Sequence, residues 1–179
     1  MYVFLSASLP ELSLGQPPPI DVAGFDELMR EVLPECRCNE ISALSLPLKK
    51  AETEASGKLL SVLKQFESFE RFLRTRIAGL RAKKLETDCV LPEPESFFAD
   101  IDKSLNEAVK ITNPVERELF VDRLRWEYLD ELEAEHSMDL IHLCIYRIRL
   151  QILSGYRGRN FESGQKFFET ALNQVSGRQ

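Results

Sequence analysis

The sequence predicts an all-α protein that folds as a helical bundle. Apolar residues recur three or four positions apart over long stretches, which places them along one face of a helix. Residues that favour helix starts precede several of these stretches, as at Asn113 and Pro114. The 179 residues are 44% hydrophobic and 29% charged, which suits one domain with a sizeable core. We therefore divide the chain into an extended N-terminal arm, residues 1–20, and a single helical domain, residues 21–179.

The N-terminal arm is predicted from its prolines. The segment "GQPPP" at Gly15–Pro19 contains three of them, which remove hydrogen-bond donors and fix φ, so it cannot continue a helix. We interpret the preceding Tyr2–Leu5 as a short strand or an extended segment. The arm would serve as a tether or a docking segment.

Three helices are expected between the arm and residue 85. Asp21 is expected to cap the first, which ends at Pro34, and a short second helix is expected over residues 39–46. The longest apolar stripe runs from about Lys58 to Leu85. A helix of that length normally packs on several partners along its length or projects into another subunit.

The next two helices have recognisable start signals. Ser96 is expected to cap a helix that continues through Val109. Asn113 suits an N-cap, Pro114 the first helical position, and Glu116 the third, where its side chain can reach back to the cap amide. The helix that follows carries its charged residues, Asp122 among them, on the side opposite its apolar stripe.

The chain is expected to end in two more helices. A break at residues 135–138 is followed by Asp139, a second candidate cap, and by "LIHLCIYRIRLQIL", which is apolar around most of its circumference. Such a helix is normally buried. A final helix from about Asn160 would complete the bundle.

One group of residues has the composition of a metal site. Glu133, His136, Asp139 and His142 form a Glu-x-x-His and an Asp-x-x-His in succession. The two histidines are six positions apart across an apparent helix break, whereas helical metal motifs need ligands on one face. We therefore interpret the group as a solvated helix end followed by a partly buried His142. An enzyme would need a metal or a substrate bound here.

No other motif points to catalysis. The sequence has no glycine-rich phosphate loop, nucleophile elbow or Walker lysine, and Cys36 and Cys38 form a lone C-x-C. We therefore expect a non-catalytic protein without a cofactor or metal. The net charge of −6 does not favour nucleic-acid binding, which requires a basic face.

The sequence also predicts a cytoplasmic location. No positive residue precedes the apolar run at the N-terminus, and Pro10 interrupts it, so it does not resemble a secretory signal. No stretch approaches the roughly 20 apolar residues that a membrane span needs. The four cysteines are then expected to be reduced thiols, with Cys144 in the core.

Charged and aromatic side chains in the helices suggest a partner interface. The basic cluster at Arg71–Lys84 is either a solvated helix face or a docking surface for an acidic partner. Trp126 lies off the main stripe of its helix, where an aromatic residue is either a second core contact or a partner anchor.

Two arginines lie inside the apolar helix, where an unpaired charge would be costly. Arg147 and Arg149 are expected either to pair with nearby carboxylates within the chain or to lie at an interface. The candidate carboxylates are Glu127, Asp130 and Glu131. The candidate partner-interface residues are Arg74, Arg76, Arg81, Trp126, Arg147 and Arg149.

Several segments, in order, resemble an uncharacterised family of short bacterial proteins whose genes lie among those for V-type ATP synthase subunits. The segments are "MYVFLSASLPELSL", the following "PPI", "FERFLRTRIAGLRAKKL" at Phe69–Leu85, "DRLRWEYLDELE" at Asp122–Glu133, and "IYRIRLQIL". The resemblance spans nearly the whole chain and is weakest over residues 36–56 and 86–96. Their ordered combination, rather than any single motif, carries it.

The resemblance implies a non-catalytic structural subunit of a bacterial V-type ATP synthase or ATPase. In its length and helical character the chain resembles a shortened form of the C-type (d-type) subunit of these machines. That subunit is the central-stalk connector between the shaft and the membrane rotor ring. That connector has repeated helical units, and the shared R-x-R-x-x-x-L of "RTRIAGL" and "RIRLQIL" fits such an origin. The implied partners are the shaft and ring subunits, and the chain would be peripheral to the inner membrane. The alternative is a stand-alone helical adaptor or assembly factor.

Overall fold

The computed structural model describes residues 2–42, 46, 57–88, 90–93, 95–136 and 138–157, with side chains up to Gly155. These residues form helices and no strand, so the predicted all-α fold is confirmed. The helix expected from Asn160 lies outside the described residues. The helices are α1 (Tyr2–Ser8), α2 (Val22–Val32), α3 (Glu35–Ser42), α4 (Lys58–Lys84), α5 (Ala99–Ala108), α6 (Pro114–Glu133) and α7 (Leu140–Arg157).

The first helix corrects the interpretation of Tyr2–Leu5 as a strand or extended segment. These residues belong to α1, which packs on α7 and inserts Leu5 fully into the core. Val3 and Phe4 point outward, and Phe4 is 71% exposed. The local sequence has no N-cap signal, so packing against α7 stabilises the helix. Residues 9–20 form no helix, as their prolines predict.

Two predicted helix caps are confirmed. The Asp21 carboxylate accepts a hydrogen bond from the Gly24 amide at 2.8 Å, and Asn113 Oδ1 accepts one from the Val115 amide at 3.0 Å. Pro114 is the first residue of α6, as expected. Glu116 was expected to reach the backbone amide of the cap residue. Its carboxylate instead accepts a hydrogen bond at 3.1 Å from the side-chain amide of Asn113.

Two helix boundaries differ from the prediction. Helix α3 begins at Glu35, four residues before the expected start, because Pro34 begins the turn and its carbonyl accepts from the Cys38 amide at 3.2 Å. Ser96 does not cap α5, since its hydroxyl lies 3.0 Å from that of Ser68 on α4. Phe98 occupies the cap position without a side-chain hydrogen bond.

Helix α7 lies at the centre of the packing, as its apolar circumference predicts. It packs against α1, α2, α3, α4 and α6, while α5 packs between α4 and α6. The largest fully buried side chains come from every helix: Phe25, Phe66, Phe69, Phe72, Leu5, Met29, Ile41, Leu73, Leu105, Leu129 and Leu143. None of the helices in the described ranges is long and apolar enough to cross a membrane.

Candidate functional site

The arginines of the α4 basic cluster form ion pairs with carboxylates. Arg74 pairs with Glu70 one turn earlier on α4, at 3.1 Å. The other two candidate interface arginines on this helix reach different helices: Arg76 pairs with Asp102 of α5, and Arg81 pairs with Glu118 of α6 at 3.4 Å. All three side chains are still 41–59% exposed. Arg76 and Arg81 therefore link α4 to other helices, and all three arginine side chains remain partly exposed to solvent.

A second network, which the sequence pattern did not predict, lies beneath Arg74. Arg125 of α6 pairs with Glu70 and, at 2.7 Å, with Asp122, and both carboxylates are buried. Burial alone would lower the pKa of the Arg125 guanidinium, but the two carboxylates outweigh that effect and raise it. Asp122 was expected on the exposed side of α6, and that expectation is wrong. The sequence contained one feature that could have predicted this network: Glu70 is a carboxylate next to Phe69, within the apolar stripe of α4.

Arg147 is paired within the chain. Its Nε and Nη2 atoms donate to Asp26 of α2 at 2.8 and 2.9 Å, and both side chains are largely buried. Internal pairing was one of the two alternatives left open by the sequence, but the carboxylate belongs to α2 rather than to the preceding helix. A contribution of Arg147 to an interface stays a prediction.

Arg149 connects α7 to the C-terminal half of α6. Its guanidinium lies 2.5 Å from Asp130, one of the expected carboxylates, and 2.6 Å from Glu133. The same guanidinium lies 5.2 Å from the centre of the Trp126 ring, within the range of a cation–π interaction. The structure therefore brings together two of the six candidate interface residues.

Trp126 and Arg149 both line a cavity of about 370 Å³, which we call the Trp126 groove. It lies where α6 and α7 meet α1 and the segment that follows α1. Tyr146 closes one side by donating a hydrogen bond to the Pro10 carbonyl at 2.8 Å, and burial raises the pKa of this tyrosine to about 12. The groove is lined by Ser6, Leu9, Pro10, Glu11, Leu12, Trp126, Asp130, Glu133, His142, Tyr146 and Arg149.

The side chains of the four residues with metal-site composition form two separate pairs, one of which, Glu133 with His142, lines this groove. Glu133 contacts His142 at 2.6 Å, and His136 contacts Asp139 at 2.9 Å. Asp139 also acts as the expected cap of α7, because its Oδ1 accepts from the His142 amide at 2.9 Å. In the part of the chain that is described, no group of three or more His, Cys, Asp or Glu side chains could hold a metal ion.

Both carboxyl groups in these pairs are stabilised as carboxylates. Burial would raise the pKa of Glu133, but the His142 imidazole and the Arg149 guanidinium outweigh burial and lower it. Burial would likewise raise the pKa of Asp139, and the hydrogen bonds from the His142 amide and from His136 lower it instead. Both acids therefore remain ionised and pair with groups on either side of the α6–α7 turn.

Comparisons with protein-family models, curated proteins and solved structures found no match. The resemblance to proteins encoded with V-type ATP synthases therefore rests on the ordered sequence segments alone. The Trp126 groove has a mixed lining of aromatic, aliphatic and charged side chains. Trp126, Tyr146 and Arg149 in this lining are of the residue types that contribute most to binding where they occur in protein–protein interfaces.

Proposed function

We propose that this protein is a non-catalytic structural subunit of a bacterial V-type ATP synthase or ATPase. It would act in the central stalk as a C-type (d-type) connector between the shaft and the membrane rotor ring. In that position it would contribute to ion transport coupled to ATP without containing an ion pathway. The choice of complex rests on the sequence resemblance. The role of connector is supported by how the charged side chains are used.

One observation supports the connector role: ion pairs join different helices at several positions. The α4 helix has 27 residues and is therefore about 40 Å long. Arg76 and Arg81 tie it to α5 and α6, while Arg147 ties α7 to α2. A body that transmits torque must resist the sliding of one helix along another. Ion pairs between helices at several levels oppose that movement.

The Trp126 groove supports a partner contact in the same body. Trp126 is partly exposed, and the Arg149 guanidinium beside it is held by two carboxylates, so both side chains are already positioned. A partner that binds there does not have to order them, and less conformational entropy is lost on association. The proposed occupant is a segment of a shaft or rotor-ring protein.

The test is purification of the V-type complex through a tag on another of its proteins. We expect this chain to remain at constant stoichiometry after high-salt washing. Replacing Trp126→Ala should reduce its retention, whereas Phe97→Ala, which truncates an exposed aromatic residue outside the groove, should not. Absence of the chain from the intact complex would refute the proposal. Transient presence that is lost on purification would instead support an assembly factor.

A further inference from the structure

A second cavity lies between the start of α5 and the outer face of α6. It has a volume of about 200 Å³, and we call it the Tyr128 pocket. Its apolar part consists of Phe98, Ala99, Ile101 and the ring of Tyr128, and its polar part of three carboxylates. The carboxylates belong to Asp100, Glu127 and Glu131.

The aromatic wall of the pocket is held in place by packing. The rings of Phe98 and Tyr128 meet edge to face, with centroids 5.8 Å apart and planes at 84°. Phe69, which is fully buried, stacks on Tyr128 at 4.2 Å and contacts Phe98 at 5.6 Å. The two wall residues therefore form a corner that exists before any ligand arrives.

The charge of the pocket is not balanced by its own lining. The Trp126 groove includes Arg149 and His142 beside its acids, whereas the charged side chains that line the Tyr128 pocket are all carboxylates. Lys103 lies 3.5 Å from Asp100, but these two side chains are 81% and 97% exposed. A pair so exposed contributes little. Burial raises the pKa of the Tyr128 hydroxyl, and the negative charge of Glu131 raises it further.

We propose that the Tyr128 pocket receives an arginine or lysine side chain from a basic segment of a partner protein. The aliphatic stem would pack on Phe98 and Ile101, and the cationic head would lie against the Tyr128 ring and the carboxylates of Glu127 and Glu131. Aromatic corners with nearby carboxylates favour cations because ring quadrupole and carboxylate act in the same direction. This inference goes beyond the proposed function, since it assumes no particular complex.

The probe is a short alanine-based peptide with arginine at every fourth position. Its control is the same peptide with citrulline, which keeps the shape of arginine and removes the charge. Binding to the full chain is followed by NMR through the aromatic resonances of Phe98 and Tyr128. The test variant combines Glu127→Gln and Glu131→Gln. Its matched control combines Glu27→Gln and Glu31→Gln, an exposed pair with the same spacing on α2.

Both double variants remove two negative charges from the net charge of −6. Comparing them therefore distinguishes a contact in the pocket from general electrostatic attraction of the peptide to the protein. We expect the arginine peptide to shift the two ring systems, the citrulline peptide to leave them unchanged, and the α6 variant to bind roughly fivefold more weakly. Equal weakening by the α2 variant, or ring shifts with citrulline, would overturn the proposal. The proposal would also be overturned if the arginine peptide shifted neither ring in the wild-type protein. That result does not depend on whether the α6 variant folds.

Discussion

Arg147 of α7 donates two parallel hydrogen bonds to the carboxylate of Asp26 on α2, at 2.8 and 2.9 Å. The two residues are 121 positions apart in the sequence, and both side chains are largely buried. A two-point contact fixes the orientation of both partners as well as their separation. This pair therefore ties the N-terminal part of the described helices to the central helix.

Removing the arginine alone should be strongly destabilising. The variant Arg147→Leu leaves the Asp26 carboxylate largely buried without its cation, which we expect to cost about 3 kcal/mol in the free energy of unfolding. Urea denaturation followed by circular dichroism measures this value. In the double variant Asp26→Leu/Arg147→Leu the loss should be smaller than the sum of the two single losses. Additive losses would show that the pair has no coupling energy.

The Glu133 carboxylate should make stability depend on acid pH. Its pKa is lowered in the folded protein from an ordinary value of 4.5, so its contribution is complete above that value and is lost as pH falls through the folded pKa. Asp139 acts in the same direction from an ordinary value of 3.8. The free energy of unfolding should therefore decline as the pH falls below about 5.

The matching substitution tests the contribution of Glu133. The variant Glu133→Gln should be less stable at neutral pH and should show a shallower decline on acidification, because the titrating group is gone. Glu135→Gln removes the same charge from an exposed position two residues away and should leave the slope unchanged. Identical acid profiles for wild type and Glu133→Gln would show that Glu133 does not contribute.

The described cysteines should differ sharply in reactivity. Cys144 is buried, and burial raises its pKa to about 12, so at pH 8 only about one molecule in ten thousand carries its thiolate. Burial also raises the pKa of Cys38, whereas Cys36 is exposed. We expect iodoacetamide to alkylate Cys36 first and to leave Cys144 unmodified in the native protein. Peptide mapping by mass spectrometry measures the order, with guanidinium-unfolded protein as the control.

The start of α6 should depend on its cap. Replacing Asn113→Ala removes the hydrogen bonds with the Val115 amide and the Glu116 carboxylate, and it should cost about 1 kcal/mol of unfolding free energy. Asn113→Asp keeps an oxygen acceptor for the helix amides and should retain most of the stability. Thr112→Ala, at the exposed neighbouring position, should be close to neutral. Equal losses at both positions would argue against a capping role.

Features that act over a few residues were predictable from the sequence. The caps at Asp21 and Asn113 involve groups two or three positions away, and the stripe that predicts α4 repeats within each turn. The internal pairing of Arg149 with Asp130 was among the alternatives, because both lie near the α6–α7 turn. The caps and the apolar stripe act within about one turn, and Arg149 and Asp130 lie 19 positions apart on consecutive helices.

Features that depend on distant groups were not predictable. Asp122 was placed on the exposed side of its helix, since nothing in the local pattern shows that Glu70 and Arg125 enclose it. Helix α1 was interpreted as extended, because its stability comes from α7, more than a hundred positions away. The Tyr128 pocket combines residues of α5 and α6 that show no common motif in sequence.

By itself the sequence determined that this chain is helical and where most of its central helices begin, because backbone caps and apolar periodicity act within one or two turns. Only the tertiary structure decided which carboxylate each arginine binds, that Asp26 rather than an α6 acid holds Arg147, and which side chains form the two pockets. The physical reason is distance. Charge pairing and side-chain packing depend on separations in space, which a helical pattern does not contain until the helices have assembled.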